Sequence, residues 1–165
     1  MKRTILAAAA GAAMMILCAP ASFAQVHADV GITGLQVDQQ GSDATLAGIT
    51  GRLGYEINPF IGVEGELTFG IKDDKILGNK VKLNDQVGAF VRGHVPIGPL
   101  GSIYARAGYA DTDIDSDFVA VGDGAGFAYG GGIELDVLGP ARLRLDYTHY
   151  RDKVGSLGLA AELKF

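Results

Sequence analysis

The chain has 165 residues, 25 of them glycine, and carries a formal net charge of −5. Its 14 basic residues are outnumbered by 19 acidic ones, and it contains no tryptophan. The absence of a basic patch or an aromatic–basic stripe argues against nucleic-acid binding. The length suits one domain and is short for two.

The N-terminal segment has the pattern of a secretory signal peptide. Two basic residues precede an apolar run over 5–19, and the segment ends in a small-x-small pattern at Ala24. We expect cleavage after Ala24, which removes 1–24 and leaves one domain over 25–165. A spanning helix needs roughly 20 apolar residues, so a membrane anchor is disfavoured. Cleavage would also remove Cys18, the one cysteine, and with it any disulfide, thiol nucleophile or cysteine metal site.

The remaining chain divides into segments in which apolar and polar residues alternate with period two. In the second segment, for example, Ile49 and Leu53 lie on one face and Arg52 on the other. This alternation predicts strands, and helical periodicity is absent. Lengths of about nine to fourteen residues exceed those of soluble strands and match a tilted membrane crossing. The eight predicted strands are roughly 28–36, 45–57, 60–71, 82–95, 102–110, 126–137, 141–150 and 156–165.

The predicted connections alternate between short and long. Those after the even strands are tight and hold four prolines, at Asn58-Pro59 and within 96–101 and 138–140. Those after the odd strands are polar and longer. Short turns at one end, longer loops at the other and an even strand number are typical of transmembrane barrels. The four predicted outer loops cover 37–44, 72–81, 111–125 and 151–155.

The polar faces of the strands carry a balanced set of charges. In a soluble barrel such as a lipocalin, the apolar face would point inward and these charges would face water. Arginine outnumbers lysine five to one on this face, which favours crowded, multidentate ion pairs in a membrane barrel's lumen. We therefore predict a lumen largely plugged by paired charges. The set comprises Asp29, Glu56, Glu64, Glu66, Glu134, Asp136, Asp146 and Glu162, with Arg52, Arg92, Arg106, Arg142, Arg144 and Lys164.

Antiparallel pairing suggests which of these residues are opposed. Opposed residues share a face of the sheet, and a three-residue turn over 138–140 then fixes the register of the sixth and seventh strands. The predicted opposed pairs are Val137 with Ala141, Asp136 with Arg142, Glu134 with Arg144, and Arg52 with Glu64 or Glu66.

The chain resembles the small eight-stranded outer-membrane barrels of the OmpA transmembrane-domain and OmpX-like type. The resemblance is carried by Gly51–Glu64, by Gly130–Tyr147 and by the terminal Leu163-Lys164-Phe165, and it covers about residues 28–165. It implies an all-β, eight-stranded, antiparallel up-and-down transmembrane β-barrel in a Gram-negative outer membrane, exported through the periplasm. It also implies that Phe165 and Leu163 act as an assembly signal. Larger relatives add a peptidoglycan-binding domain after the barrel, which we do not expect here.

Members of this broad family serve envelope integrity, adhesion, immune evasion or minor permeation, and a few are enzymes. The resemblance implies a non-enzymatic envelope protein with a structural or porin-like role and no cofactor. Its implied partners are outer-membrane lipid and lipopolysaccharide, the barrel insertion machinery and periplasmic chaperones. One alternative is a surface adhesin or host-factor binder acting through the outer loops, and another is a lipid A-modifying enzyme.

Acidic and glycine-rich stretches in the third loop and sixth strand raise two further possibilities. Alternating aspartates over 111–117 could offer oxygen ligands to Ca²⁺, but Ser116 and Gly122 stand where an EF-hand needs glycine and glutamate. We expect a solvated acidic loop and no metal site. The run Gly130–Gly132 predicts a bulge or strong curvature.

His149 is the residue that could imply catalysis. It lies at the outer end of the seventh strand on the lipid-facing phase, between Thr148 and Tyr150. Lipid A deacylase barrels have a His and a Ser at a comparable height, but here no Ser follows two residues later. We interpret His149 as part of an interfacial aromatic belt.

Overall fold

The structure, a computed structural model, describes residues 25–39, 42–72, 74–76, 79–116, 124–150 and 154–165. The predicted signal peptide, 1–24, lies outside these ranges. Among the described residues, no helix is long and apolar enough to cross a membrane.

The described chain is almost entirely strand, with every ladder antiparallel. A short 3-10 helix, Gly98–Leu100, lies in one turn. The strands are β1 (Gln25–Gln39), β2 (Ser42–Asn58), β3 (Ile61–Lys72), β4 (Asp74–Ile76), β5 (Asn79–Pro96), β6 (Gly101–Ser116), β7 (Gly124–Leu138), β8 (Ala141–Tyr150) and β9 (Val154–Lys164).

These strands form a closed ring. β9 returns to pair with β1, and β3 pairs with β5. The three-residue β4 continues the path of β3 along the same edge of β5, so both occupy one position in the ring. The ring therefore has eight positions, which confirms the predicted eight-stranded up-and-down barrel. Closure pairs the backbone groups of both terminal strands, as a sheet in hydrocarbon requires.

The strands extend further at the loop end of the barrel than the sequence predicts. β1 and β2 pair as far as Gln39 with Ser42, and β5 and β6 as far as Val81 with Ser116. Much of the predicted outer loops 37–44, 72–81 and 111–125 is therefore strand. The ladder joins backbone groups, so it can continue where the side chains no longer alternate between apolar and polar.

The predicted turn over 138–140 is one residue too long. Leu138, and not Val137, opposes Ala141, and an irregularity in the ladder between Asp136 and Leu138 displaces Val137. Gly139 has a φ of 57°, which suits glycine and permits a tight turn. The irregularity keeps Asp136 opposite Arg142, as predicted.

The Gly130–Gly132 run has no bulge, because its pairing with both neighbouring strands is continuous. A Cβ added to Gly130 would lie 2.2 Å from the carbonyl oxygen of Tyr147, and one on Gly132 would lie 2.2 Å from that of Leu145. The glycines therefore permit a close approach of β7 and β8.

The two faces of the wall differ as predicted. Outward residues such as Val30, Ile32 and Leu53 are half or more exposed, whereas inward Arg52 and Glu66 are buried. The buried core of this protein thus lies inside the ring, and it is largely polar.

Candidate functional site

The barrel interior contains three layers of side chains, stacked between a turn end and a loop end. The turn end holds the tight connections at Pro59-Phe60, Gly98–Leu100 and Gly139-Pro140. We call the layers the turn-end chamber, the central cluster and the loop-end layer. The central cluster comprises Arg52, Arg106 and Arg144 with Asp29, Glu64, Glu66 and Asp146, all buried.

Arg52 connects three strands besides its own. Its Nε donates to Glu66 Oε2 at 2.7 Å, and its two Nη atoms lie 3.2 Å from Asp29 and Asp146. Arg52 and Glu66 are also opposed in the β2–β3 register. Of the two partners that the sequence left open for Arg52, the structure therefore brings it to Glu66.

Arg106 is buried among the same carboxylates. Its Nη1 donates to Glu64 Oε1 at 2.8 Å and to Glu66 Oε2 at 2.7 Å, and its Nη2 donates to Thr148 Oγ1 at 2.6 Å. The guanidinium carbon also lies 4.3 Å from the centre of the Phe90 ring, within cation–π range.

Arg144 does not contact the residue that opposes it in the ladder. Glu134 is opposite Arg144 in the register, as predicted. The guanidinium instead reaches across the lumen, where Nη1 contacts Asp29 at 3.0 Å and Glu64 at 2.5 Å. Its Nε donates to the Tyr104 hydroxyl at 2.7 Å. A long side chain in a narrow lumen can reach several carboxylates, so the strand register alone does not determine its ion pairs.

The turn-end chamber is built around Arg92 and Arg142. Arg92 lies 2.7 Å from Glu134 and 3.2 Å from Glu56. Arg142 donates to Asp136 at 2.5 Å, and both of these side chains are partly exposed. The remaining members of the chamber are His27, His94, Glu162 and Lys164.

Sequence analysis did not single out the two chamber histidines. His27 Nδ1 lies 3.6 Å from Glu56, and His94 Nδ1 lies 3.3 Å from the same carboxylate. The sequence did offer a signal, because strand residues two apart lie on the same face. His27 precedes the inward Asp29 by two residues, and His94 follows the inward Arg92 by two.

The loop-end layer is apolar, which the sequence analysis also missed. Below it, hydroxyls form a ladder in which Thr33 and Thr50 are 2.6 Å apart and Thr50 and Thr68 2.8 Å apart. The Tyr150 hydroxyl joins this layer to the central cluster by donating to Glu66 at 2.8 Å. The layer comprises Leu35, Leu46, Phe90, Ala110, Ala128, Tyr150 and Val154.

Aromatic rings form a belt on the outward face of β6, β7 and β8. Tyr109 and Tyr129 each lie 6.1 Å from Phe127, measured between ring centres. His149 extends the row, 5.3 Å from Tyr129. His149 is thus placed among aromatic residues on the lipid-facing phase.

Asp111, Asp113 and Asp115 lie on β6 and not in a loop. Within the described ranges, no group of three or more His, Cys, Asp or Glu side chains is arranged to hold a metal ion. Asp117 and Asp123 lie outside the described residues.

The C-terminal residues lie on the outer surface of the wall. Leu163 and Phe165 are exposed, and the Phe165 N–H donates to the carbonyl of Val26 at 2.8 Å. The alternation of apolar and polar residues in this strand predicted that both side chains face outward, and both do.

Comparison with known proteins places this geometry in a known fold. Residues 4–165 match the family described as outer membrane protein beta-barrel domain. No curated protein sequence matches the chain.

Solved structures of similar fold include small barrels from two bacterial groups. The crystal structure of Ail, the attachment invasion locus protein of Yersinia pestis, in complex with the heparin analogue sucrose octasulfate, has a TM-score of 0.63 and 17% identity over 87% of this chain and 99% of that one. Neisserial surface protein A has a TM-score of 0.55 and 18% identity over 86% and 95% of the two chains. A de novo designed transmembrane β-barrel has a TM-score of 0.55 and 14% identity over 85% and 95%. At such identities the likeness is one of fold.

Proposed function

This chain belongs to the outer membrane protein β-barrel family, and we propose that it is a structural protein of the bacterial envelope with a lumen closed to solutes. The family and the shared fold indicate the outer membrane as its location. The proposal for the lumen rests on one observation, which is that buried side chains fill it in all three layers. Eight strands leave an interior just wide enough to be filled by side chains.

An ion crossing this interior would have to displace the central cluster. Four arginines, Arg52, Arg92, Arg106 and Arg144, are each 5% exposed or less. Some of their ion pairs join neighbouring strands, as Arg52 does with Glu66, and others cross the ring, as Arg144 does with Glu64. The apolar loop-end layer adds a second barrier, because ions are poorly solvated there.

Planar-bilayer recording tests the closed lumen. The wild-type barrel should give no large, stable single-channel steps. Arg106→Ala removes a central side chain and should raise the conductance. The matched control is Leu53→Ala on the lipid-facing surface, which should leave the conductance unchanged. Large, stable steps from the wild type would refute the closed lumen.

We also propose the route and partners that the family resemblance implies. After removal of 1–24, the chain would cross the periplasm with chaperones and be inserted by the barrel assembly machinery, with Phe165 and Leu163 as its signal. Its apolar outer band and aromatic belt would then contact lipid and lipopolysaccharide. Tyrosine and other amphipathic rings are suited to that interface.

A second candidate function is surface binding through the loop end. It is favoured by the likeness in fold to Ail, whose structure contains a heparin analogue, and by the extension of β1–β2 and β5–β6 at the loop end. Sucrose octasulfate is a suitable probe. Cells that display the wild type should retain it, and cells displaying a barrel with 37–44 and 72–81 replaced by short turns should not. Equal retention by both would refute this candidate.

We further propose that His149 has no catalytic role. Its neighbours support a belt position, because the Tyr129 ring lies beside it and the backbone of Gly155 opposes it. Purified barrel should release no acyl chains from lipopolysaccharide. Release that disappears in His149→Ala would instead support the lipid A-modifying enzyme.

A further inference from the structure

Glu162 on β9 is a buried carboxylate with poor compensation. Its side chain is fully buried in the turn-end chamber. The nearest guanidinium nitrogens belong to Arg142, 3.7 Å from Oε1, and Arg92, 3.9 Å from Oε2, both beyond hydrogen-bonding distance. Among the described residues, none donates a hydrogen bond to either oxygen. A buried ionised carboxylate without such bonds is strongly disfavoured.

The register of the sheet makes an ionised Glu162 still less favourable. Glu162 directly opposes Asp29 across the β1–β9 pair that closes the barrel, and Arg142 across the β8–β9 pair, where the nearest guanidinium nitrogen is still 3.7 Å away. Like charges in directly opposed positions destabilise a sheet. Asp29 is compensated by Arg52 at 3.2 Å and by Arg144 at 3.0 Å. Of the two carboxylates in this closing pair, Glu162 is therefore the more weakly compensated.

The charges of the whole interior also leave an excess of carboxylates. Eight inward carboxylates face six cations, counted from the set predicted from the sequence. The charged and titratable groups around Glu162 come from every neighbouring part of the wall: His27 and Asp29 on β1, Glu56 on β2, Glu64 on β3, Arg92 and His94 on β5, Glu134 on β7, Arg142 and Arg144 on β8, and Lys164 on β9.

We propose that the turn-end chamber is a proton-binding site in which Glu162 is held as the carboxylic acid, so that the β1–β9 closure is strongest with the proton bound. The proton comes from water at the turn end, where Arg142 borders the chamber and is 18% exposed. An O–H bond forms at one carboxylate oxygen, and the charge of the group changes from −1 to 0. Glu134 also contacts the guanidiniums of Arg92 and Arg142, so the proton removes repulsion between two carboxylates around the same cations.

The proposal predicts the sign of a pH effect. The folded barrel holds this proton where the unfolded chain releases it, so the free energy of unfolding should rise as the pH falls from about 8 to about 5. Below that range, protonation of the ion-paired carboxylates of the central cluster should reverse the trend.

Urea unfolding of the detergent-folded barrel at several pH values tests this site. Glu162→Gln copies the neutral acid, so its unfolding midpoint at neutral pH should be higher than that of the wild type and should lose the rise towards about pH 5. The matched control is Glu66→Gln, the same change at a buried carboxylate that accepts hydrogen bonds from Arg52, Arg106 and Tyr150. Its midpoint should fall and its pH dependence should remain.

Two further measurements identify the group that carries the proton. Infrared difference spectra at neutral pH should show a protonated carboxyl band in the wild type that is missing in Glu162→Gln. His27→Gln should keep the pH dependence. A lower midpoint for Glu162→Gln, absence of the band in the wild type, or loss of the pH dependence in His27→Gln alone would overturn the proposal.

Discussion

Arg144→Ala should be among the most damaging substitutions in the lumen. The side chain is fully buried, and its removal takes three charged hydrogen bonds from Asp29 and Glu64 and one from the Tyr104 hydroxyl. Each charged bond contributes about 1.5 kcal/mol at the low end of the usual range. The low end applies because Asp29 keeps Arg52 and Glu64 keeps Arg106. Counting only the three bonds to carboxylates, we expect a loss of about 4.5 kcal/mol, within the roughly 3–5 kcal/mol typical of a broken buried ion pair.

Arg142→Ala is the matched control for this prediction. Arg142 lies two residues earlier on the same strand, but its side chain is 18% exposed and that of its partner Asp136 is 37% exposed. Arg142 also lies 3.4 Å from buried Glu134 and 3.7 Å from buried Glu162, but Glu134 keeps Arg92 at 2.7 Å and water can solvate Asp136, so the loss should be smaller, about 1–2 kcal/mol. The chain has no tryptophan, so urea unfolding in detergent is best followed by circular dichroism or gel mobility. Equal losses from the two substitutions would refute the view that Arg144 lies in a closed, water-poor interior.

Three further substitutions test the wall and the other layers. Gly108→Ala should lower the free energy of unfolding in urea by about 1–3 kcal/mol, because its Cβ would lie 2.0 Å from the carbonyl oxygen of Ala89. In the control Gly51→Ala, the added Cβ meets nothing within 4 Å and the free energy of unfolding should not change. Thr50→Val should cost about 1–2 kcal/mol by the same measurement, because it interrupts the hydroxyl ladder at its middle member. Phe90→Ala should cost about 3–5 kcal/mol and raise the bilayer conductance, because it empties much of the loop-end layer; an unchanged conductance would show that this layer is not a barrier.

The fold was predictable because a barrel wall imposes period two on its sequence. Each strand must present one face to lipid and one to the lumen. The alternation along the strand therefore predicts that Leu53 faces outward and Arg52 faces the lumen. The number of strands followed from counting the turns. The ends of the strands did not follow, since β1 and β2 continue to pair through Gln39 and Ser42 after the apolar alternation has stopped.

The contacts inside the lumen were only partly predictable. Register opposes Arg52 to Glu66, and this pair also makes the ion pair. Register likewise opposes Arg144 to Glu134, yet Arg144 contacts Glu64 on the far side of the ring. The sequence identifies which residues face inward, whereas the choice of partner depends on how far each side chain reaches across a lumen filled by its neighbours.

The inward glycines leave the space that the long charged side chains occupy in the lumen. A Cβ on inward Gly54 would lie 2.1 Å from the His27 ring, and one on Gly158 would lie 2.6 Å from an Asp146 carboxylate oxygen and 3.4 Å from Arg52. An eight-stranded ring has a fixed and narrow bore, so each long charged side chain needs a neighbour that occupies no space. Glycine on the inward face therefore permits arginine and glutamate to fold back into the lumen and pair there. Larger residues at these positions would push the charged groups apart and would weaken the contacts that close the interior.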